Sequence, residues 1–321
     1  MKWQRLLADA ITTADGLLTS LGLDIRHLLE IDNRPDFPIR VPQPFIDRMK
    51  RGDPSDPLLR QVLAVSDERH PMPGFTQNPL QELDGPIPGV LHKYRSRVLL
   101  IYRGGCAVNC RYCFRRHFPY QNRTLARHDL DDVVRYLEAH SEINEVIFSG
   151  GDPLMADDGV LASFFQRLEA ISSIRRLRIH TRLPVVIPER VTDTFCQTIA
   201  SITLPVIVVL HINHANEIDE ALINAVSRLR TVCRSILNQS VILGGINDSA
   251  DDLITLSERL FEAGIDPYYL NVLDRVSGAH HFEVPEEKLQ ILHQALLDAL
   301  PGFLVPKLVK EVPGIGHKVL W

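Results

Sequence analysis

From residue 97 onward, short runs of apolar and β-branched residues alternate with longer stretches in which apolar positions recur every three to four residues. The short runs read as buried strands, and the longer ones as helices packing one apolar face against them. Strands are expected at 98–102, 145–149, 176–180, 206–212, 235–243 and 268–273, and helices at 130–140, 160–171, 189–199, 217–232, 251–263 and 286–300. Six strand-then-helix units predict a parallel sheet with right-handed crossovers. Six is short of a closed eight-fold barrel, so an α/β open (β/α)6 barrel over 93–321 is the first expectation and a doubly wound sheet the second. Either way, functional groups should gather at the carboxyl ends of the strands. Residues 1–92 have another texture, rich in Pro and Asp, and read as a mainly helical extension with helices at 3–20 and 57–65.

Composition narrows the classes. With 321 residues and 45 % hydrophobic positions, the chain can bury one large core. A formal charge of -5 argues against a broad nucleic-acid surface. No stretch reaches the roughly 18 apolar residues of a membrane span, and the amino terminus lacks the plan of a signal peptide. A cytoplasmic protein with reduced thiols is expected, with neither nucleic acid nor membrane as partner.

Three of the five cysteines, Cys106, Cys110 and Cys113, follow the first long strand in the spacing C-x3-C-x2-C. Three thiolates on one loop can hold three irons of a cubane cluster and leave the fourth open to a ligand. Two other readings compete: a Cys3His zinc site completed by His117, and a disulfide framework, for which five cysteines are odd and sparse. Cys196 and Cys233 fall in apolar helical patterns and are expected as buried core residues. Ser149-Gly150-Gly151-Asp152 ends the second strand, where two glycines let a ligand approach the backbone. His180, His211 and His214 stand at later strand ends. No third ligand is suitably spaced, so no second metal site is expected.

The cysteine spacing, with Tyr112 just before Cys113, resembles that of radical S-adenosylmethionine (SAM) enzymes, which implies a partial TIM barrel of that type. Cys106-Ala-Val-Asn-Cys110-Arg-Tyr-Cys113-Phe-Arg-Arg-His117, Ser149-Gly-Gly-Asp152, His211-Ile-Asn-His-Ala-Asn-Glu217, Asn238-Gln-Ser240 and Pro267-Tyr-Tyr269 together resemble the lysine 2,3-aminomutase family over about residues 90 to 318. That family combines a [4Fe–4S] cluster, SAM and pyridoxal 5′-phosphate (PLP) to move an amino group from Cα to Cβ.

The resemblance implies roles residue by residue. Cys106, Cys110 and Cys113 would hold the cluster, and Ser149, Gly150, Gly151 and Asp152 the methionyl end of SAM. Lys318, after the partial glycine run Gly314 and Gly316, matches the PLP lysine, with Lys307 and Lys310 as rivals. Arg97 and Gln239 match residues around PLP. Arg115 matches the residue pairing with the substrate carboxylate. Asp274 and Glu311 match the two acids that bind the ε-ammonium of L-lysine, Glu311 standing where free-lysine enzymes carry Asp.

The chain stops three residues after Lys318, whereas catabolic members continue further. The short form resembles the bacterial branch that makes (R)-β-lysine for elongation factor P, a pathway with a β-lysine ligase downstream and an external electron donor upstream. Another amino-acid 2,3-aminomutase, such as a glutamate enzyme, a tRNA-modifying radical SAM enzyme, or a metal-stabilised binding module remain alternatives. Asp274 and Glu311 speak against an acidic substrate, and the weak basic content against tRNA.

Overall fold

The computed structural model describes residues 2–24, 30–125 and 129–321. The helix expected over 3–20 is two helices, α1 (Lys2–Ala8) and α2 (Ala14–Ser20). Thr13 breaks it: its backbone is extended, with φ -128°, and its hydroxyl accepts the N–H of Gly16 as an N-cap. The helix expected over 57–65 shortens to the single turn Pro57–Arg60, started by Asp56, whose carboxylate accepts the N–H groups of Leu58 and Leu59.

Nine strands follow in one sheet: β1 (Val90–Tyr94), β2 (Arg97–Arg103), β3 (Glu145–Gly150), β4 (Arg176–Thr181), β5 (Val206–Leu210), β6 (Ser235–Val241), β7 (Asp266–Asn271), β8 (Lys307–Lys310) and β9 (Val319–Leu320). Their spatial order is their chain order. A doubly wound sheet reverses order partway, so sequential winding selects the open barrel. All six expected strands are present as β2 to β7, and β8 adds a seventh parallel strand against β7. The sheet's outer strands are antiparallel hairpin partners, β1 on β2 and β9 on β8. Each short strand covers an edge that would otherwise offer unpaired backbone groups.

The crossover helices are α3 (Asp129–Ala139), α4 (Asp158–Glu169), α5 (Asp193–Ala200), α6 (Glu220–Arg230), α7 (Ala250–Glu262) and α8 (Glu286–Ala299). Two begin later than their periodicity suggests. Thr192 and Asp219 cap α5 and α6 by accepting the N–H groups of Phe195 and Leu222, and 3-10 turns at Pro188–Arg190 and Ala215–Glu217 come before them. Those turns share the spacing of a helix without being part of one.

One apolar core takes Trp3, Leu17, Phe45 and Leu58 from the extension together with Val98, Phe148, Ile179 and Val208 from the barrel. Arg190 joins them electrostatically. It is fully buried, donates to the Leu154 carbonyl at 2.7 Å, forms an ion pair with Asp158 at 2.7 Å, and lies against the rings of Trp3 and Phe195. Cys196 and Cys233, expected as buried, are only half-buried, packed at the rim of this core. Cys233 lies just beyond α6 rather than in a helix, which turns it toward the layer boundary. Among the described residues no helix is long and apolar enough to cross a membrane.

A shared core predicts shared unfolding. Phe45→Ala, at a fully buried site, should cost about 3–5 kcal/mol and shift helix and tertiary signals together in a denaturant titration. A separate early transition of the extension would contradict the single core.

Candidate active site

Successive side chains of a strand face opposite ways, and in this barrel one set of alternate positions faces inward. Leu99, Ile147 and Ser149, Arg178 and His180, Gln239, and Tyr269 and Asn271 line a cavity of about 290 Å³. The interior of a closed small barrel is filled by layers of branched side chains. Here polar residues replace many of them, and space remains for ligands.

The cysteine loop leaves β2 and lies across the mouth. Cys106, Cys110 and Cys113 all line the cavity. The extension holds this loop from outside: the Asn109 N–H bonds the Arg40 carbonyl at 3.1 Å and the Arg111 N–H bonds the Gln61 carbonyl at 2.8 Å. The Arg111 side chain is fully buried, bonding Glu68 and, at 2.8 Å, the Phe37 carbonyl. Burial pushes the Cys106 thiol well above its ordinary pKa, and Cys113, Asp152 and Cys110 add repulsion. Cys113 is pushed up to about 11 by burial, then by Cys110. Thiols so crowded become thiolates only when a cation shares their charge, which fits an iron–sulfur cluster.

The competing readings fail on geometry. His117 is exposed and its Nε2 bonds the Ser277 carbonyl at 3.0 Å, away from the thiols. Among the described residues no group of three or more His, Cys, Asp or Glu is arranged around a single ion. Cluster thiolates bind separate irons and need not converge on a point. All five cysteines are free, so no disulfide forms.

The glycine segment also packs against the strand end that leads into the cysteine loop. Gly150 has φ +118°, and a Cβ there would stand 2.5 Å from the Arg103 carbonyl; one on Gly151 would stand 2.5 Å from the Gly105 carbonyl. Both glycines therefore let this loop pack backbone to backbone on the cysteine loop, with the Asp152 N–H bonding the Gly105 carbonyl at 2.9 Å. The Asp152 carboxylate is turned inward to the protein, accepting from the N–H groups of Leu154, Arg182 and Leu183 and from the Thr181 hydroxyl. Ser149, Gly151 and Asp152 line the cavity, while the Gly150 carbonyl accepts from Tyr120 at 3.1 Å.

Arg182 ties the two loops to the barrel. Its Nη1 donates to Cys110 Sγ at 2.7 Å and to the Tyr112 hydroxyl at 2.6 Å; its Nη2 donates to Gln61 at 2.6 Å and Glu217 at 2.9 Å. Tyr112 also meets His211 at 2.9 Å and accepts from Asn213 at 2.7 Å. Burial would keep Glu217 neutral, but Arg182 overcomes it and holds the carboxyl below its usual range.

The opposite wall carries alternating charges. Arg115 bonds Glu82 at 2.6 Å, Lys93 bridges Glu82 at 2.9 Å and Glu311 at 3.0 Å, and Lys318 bonds Glu311 at 3.3 Å and Asn271 at 3.1 Å. The hairpin from β8 to β9 brings Glu311 and Lys318 together, its turn using Gly314 at φ +80°, a left-handed conformation that favours glycine. Of the three carboxyl-terminal lysines considered, Lys318 alone lines the cavity; Lys307 is exposed and Lys310 lies over the Trp321 ring. Asp274 lines the cavity too, and no described side chain hydrogen-bonds its carboxyl. Burial pushes it up to about 7, with Lys318 opposing.

Every residue singled out for the site thus reaches one cavity or its supporting shell. Arg97 lines the cavity with its guanidinium over the Tyr94 ring, and Gln239 lines it from β6. Sequence reasoning missed Glu82, Lys93, Arg178 and the role of Arg182. Arg178 and His180, alternating with apolar Leu177 and Ile179, carried a readable signal: a strand covered on both faces is ordinarily apolar throughout. Glu82 and Lys93 carried none, lying in or beside a segment read as helical extension. His180 Nε2 is buried without a partner, and burial together with Arg178 and Lys318 holds the ring neutral.

A family model described as the radical SAM superfamily matches residues 100–266. The L-lysine 2,3-aminomutase of Escherichia coli strain K12 is 49 % identical over 314 residues, covering 97 % of this chain and 92 % of that protein. That of Haemophilus influenzae is 47 % identical over 321 residues, 99 % of this chain and 95 % of that one. The Bacillus subtilis L-lysine 2,3-aminomutase is 31 % identical over 99 % of this chain and 68 % of its own length.

The unpaired carboxyl has a consequence for stability. With its pKa raised to about 7 in the fold, Asp274 favours folding while neutral, and that contribution is lost as pH rises through 7. Asp274→Asn stays neutral throughout. It should stabilise the ligand-free protein at pH 8, by on the order of 1–3 kcal/mol, and by less at pH 5, where the folded carboxyl is still neutral but the unfolded one, with its ordinary value of 3.8, is already ionised, as read by thermal melts. Equal effects at both pH values would mean that the carboxyl is paired.

Proposed function

Because the chain belongs to the radical SAM superfamily and, within it, to the L-lysine 2,3-aminomutase family, we propose that it converts (S)-α-lysine to (R)-β-lysine, destined for elongation factor P through a β-lysine ligase. The observation that carries this reading is that one cavity receives the three thiols, Lys318, and an acidic end formed by Asp274 and Glu311. Family enzymes use a [4Fe–4S] cluster, SAM and PLP, which when bound supply a carbon radical for hydrogen removal and an electron sink for nitrogen migration.

The chain's residues position and exclude water. Cys106, Cys110 and Cys113 would hold the cluster, with Arg182 donating to the Cys110 sulfur. The backbone and hydroxyl of Ser149, Gly150 and Gly151 would hold SAM, and Asp152 would set that loop's shape through its four accepted hydrogen bonds. Lys318, Arg97 and Gln239 would hold PLP. Arg115 would receive the substrate carboxylate. At the far end Glu311 is already shared by Lys93 and Lys318, which makes Asp274 the open acceptor for the ε-ammonium. Leu99, Ile147 and Leu273 supply apolar wall between the charged ends.

Anaerobic incubation with lysine, SAM, PLP and dithionite should yield β-lysine; with the ligase and elongation factor P added, the factor should gain the mass of one β-lysyl group. Failure to make β-lysine defeats the reading. Asp274→Asn should lower kcat/KM for lysine by roughly one and a half to three and a half orders of magnitude, from the 2–5 kcal/mol of a broken desolvated pair. In the parent, kcat/KM should climb with pH through about 7, because the ammonium needs an ionised carboxylate; a flat profile would remove Asp274 from the subsite.

Borohydride reduction of the PLP-loaded protein, followed by peptide mass spectrometry, should place the pyridoxyl label on Lys318. A label on Lys307 or Lys310 would show the carboxyl-terminal hairpin to be misread.

A further inference from the structure

A guanidinium offers two bidentate edges, Nε with one Nη, and the two Nη nitrogens together. Glu82 occupies the first edge of Arg115: Oε2 accepts from Nε at 2.6 Å and Oε1 from Nη2 at 3.1 Å. Both side chains are about nineteen-twentieths buried, at 6 % and 5 % exposed. Arg115 Nη1 makes only longer bonds, 3.2 Å to the Ser149 hydroxyl and 3.3 Å to the Gly150 carbonyl. Of the five N–H groups, the one left uncommitted is the second N–H of Nη2. Glu82 is itself fixed, because Lys93 Nζ bonds its Oε1 at 2.9 Å and reaches Glu311 Oε1 at 3.0 Å. The far end of the cavity is thereby tied to the near end through two ion pairs.

We propose that Glu82 is a positioning residue: it clamps one edge of Arg115 so that the remaining Nη2 N–H meets the substrate carboxylate, and Lys93, paired in turn with Glu311, holds Glu82 in place. The proposal rests on the lysine reading above and adds two residues to it. Unpaired, a buried arginine would swing to find other acceptors. Clamped, it presents its remaining Nη2 N–H without reorganising.

Two fragments of lysine separate the two ends: norleucine carries the carboxylate without the distal ammonium, and 1,5-diaminopentane carries ammonium groups without the carboxylate. In the holoenzyme, Glu82→Gln should raise the KM for lysine and the inhibition constant of norleucine together, on the order of 10- to 100-fold, while kcat and inhibition by 1,5-diaminopentane stay near the parent values. Glu82→Asp, charged but shorter, should fall between, and it carries the test if Glu82→Gln does not fold. Lys93→Gln should weaken norleucine in the same direction but less, because Glu82 keeps its own contact with Arg115. Parent-like norleucine binding in the Glu82 variants, equal weakening of both fragments, or norleucine weakened more by Lys93→Gln than by Glu82→Gln would overturn the clamp. A parent that makes no β-lysine would instead defeat the underlying reading.

Discussion

A buried guanidinium carries a charge it cannot shed, and Arg182 places four of its five N–H groups by joining four parts of the chain. Its partners are Cys110 and Tyr112 on the cysteine loop, Gln61 in the extension and Glu217 beyond β5, while its backbone N–H goes to Asp152 of the glycine loop. Remove the cation and Glu217 is left buried without its main neutralising partner, which is the costly side of any internal ion pair. The relative placement of the two ligand-facing loops therefore follows from one electrostatic requirement.

The extension gains its purpose from the same requirement. Built of short helices and turns, it supplies Arg40, Gln61 and Glu68 to the outside of the cysteine loop. Its side chains complete a core that the barrel alone would leave open. A loop of twelve residues from Cys106 to His117 has too few apolar side chains to hold its own shape. Bracketed between extension and glycine loop, it presents three thiols to one side.

Across the cavity, order comes from alternation of sign. Arg115, Glu82, Lys93, Glu311 and Lys318 form a chain in which each charge has an opposite neighbour. Asp274 stands outside that chain, and burial, only partly opposed by Lys318, raises its pKa to about 7.

The strand and helix periodicities, the three-cysteine spacing and the two glycines are local signals, and each was legible in the chain because neighbours along the sequence determine it. Six βα units, the open barrel and the thiol loop follow from them directly. The starts of α5 and α6 were misjudged only by the few residues that form 3-10 turns. The reason for the glycines at 150 and 151 was not local, since it depends on the backbone of residues 103–105 lying against them. Nor were the pairs Arg115–Glu82 and Lys93–Glu311, whose members are separated by 33 and 218 positions. Charge pairing is set by distance in space, and residue type alone does not say which acid will be cancelled. Which carboxylate is left open for a ligand was decided only when the extension folded onto the barrel.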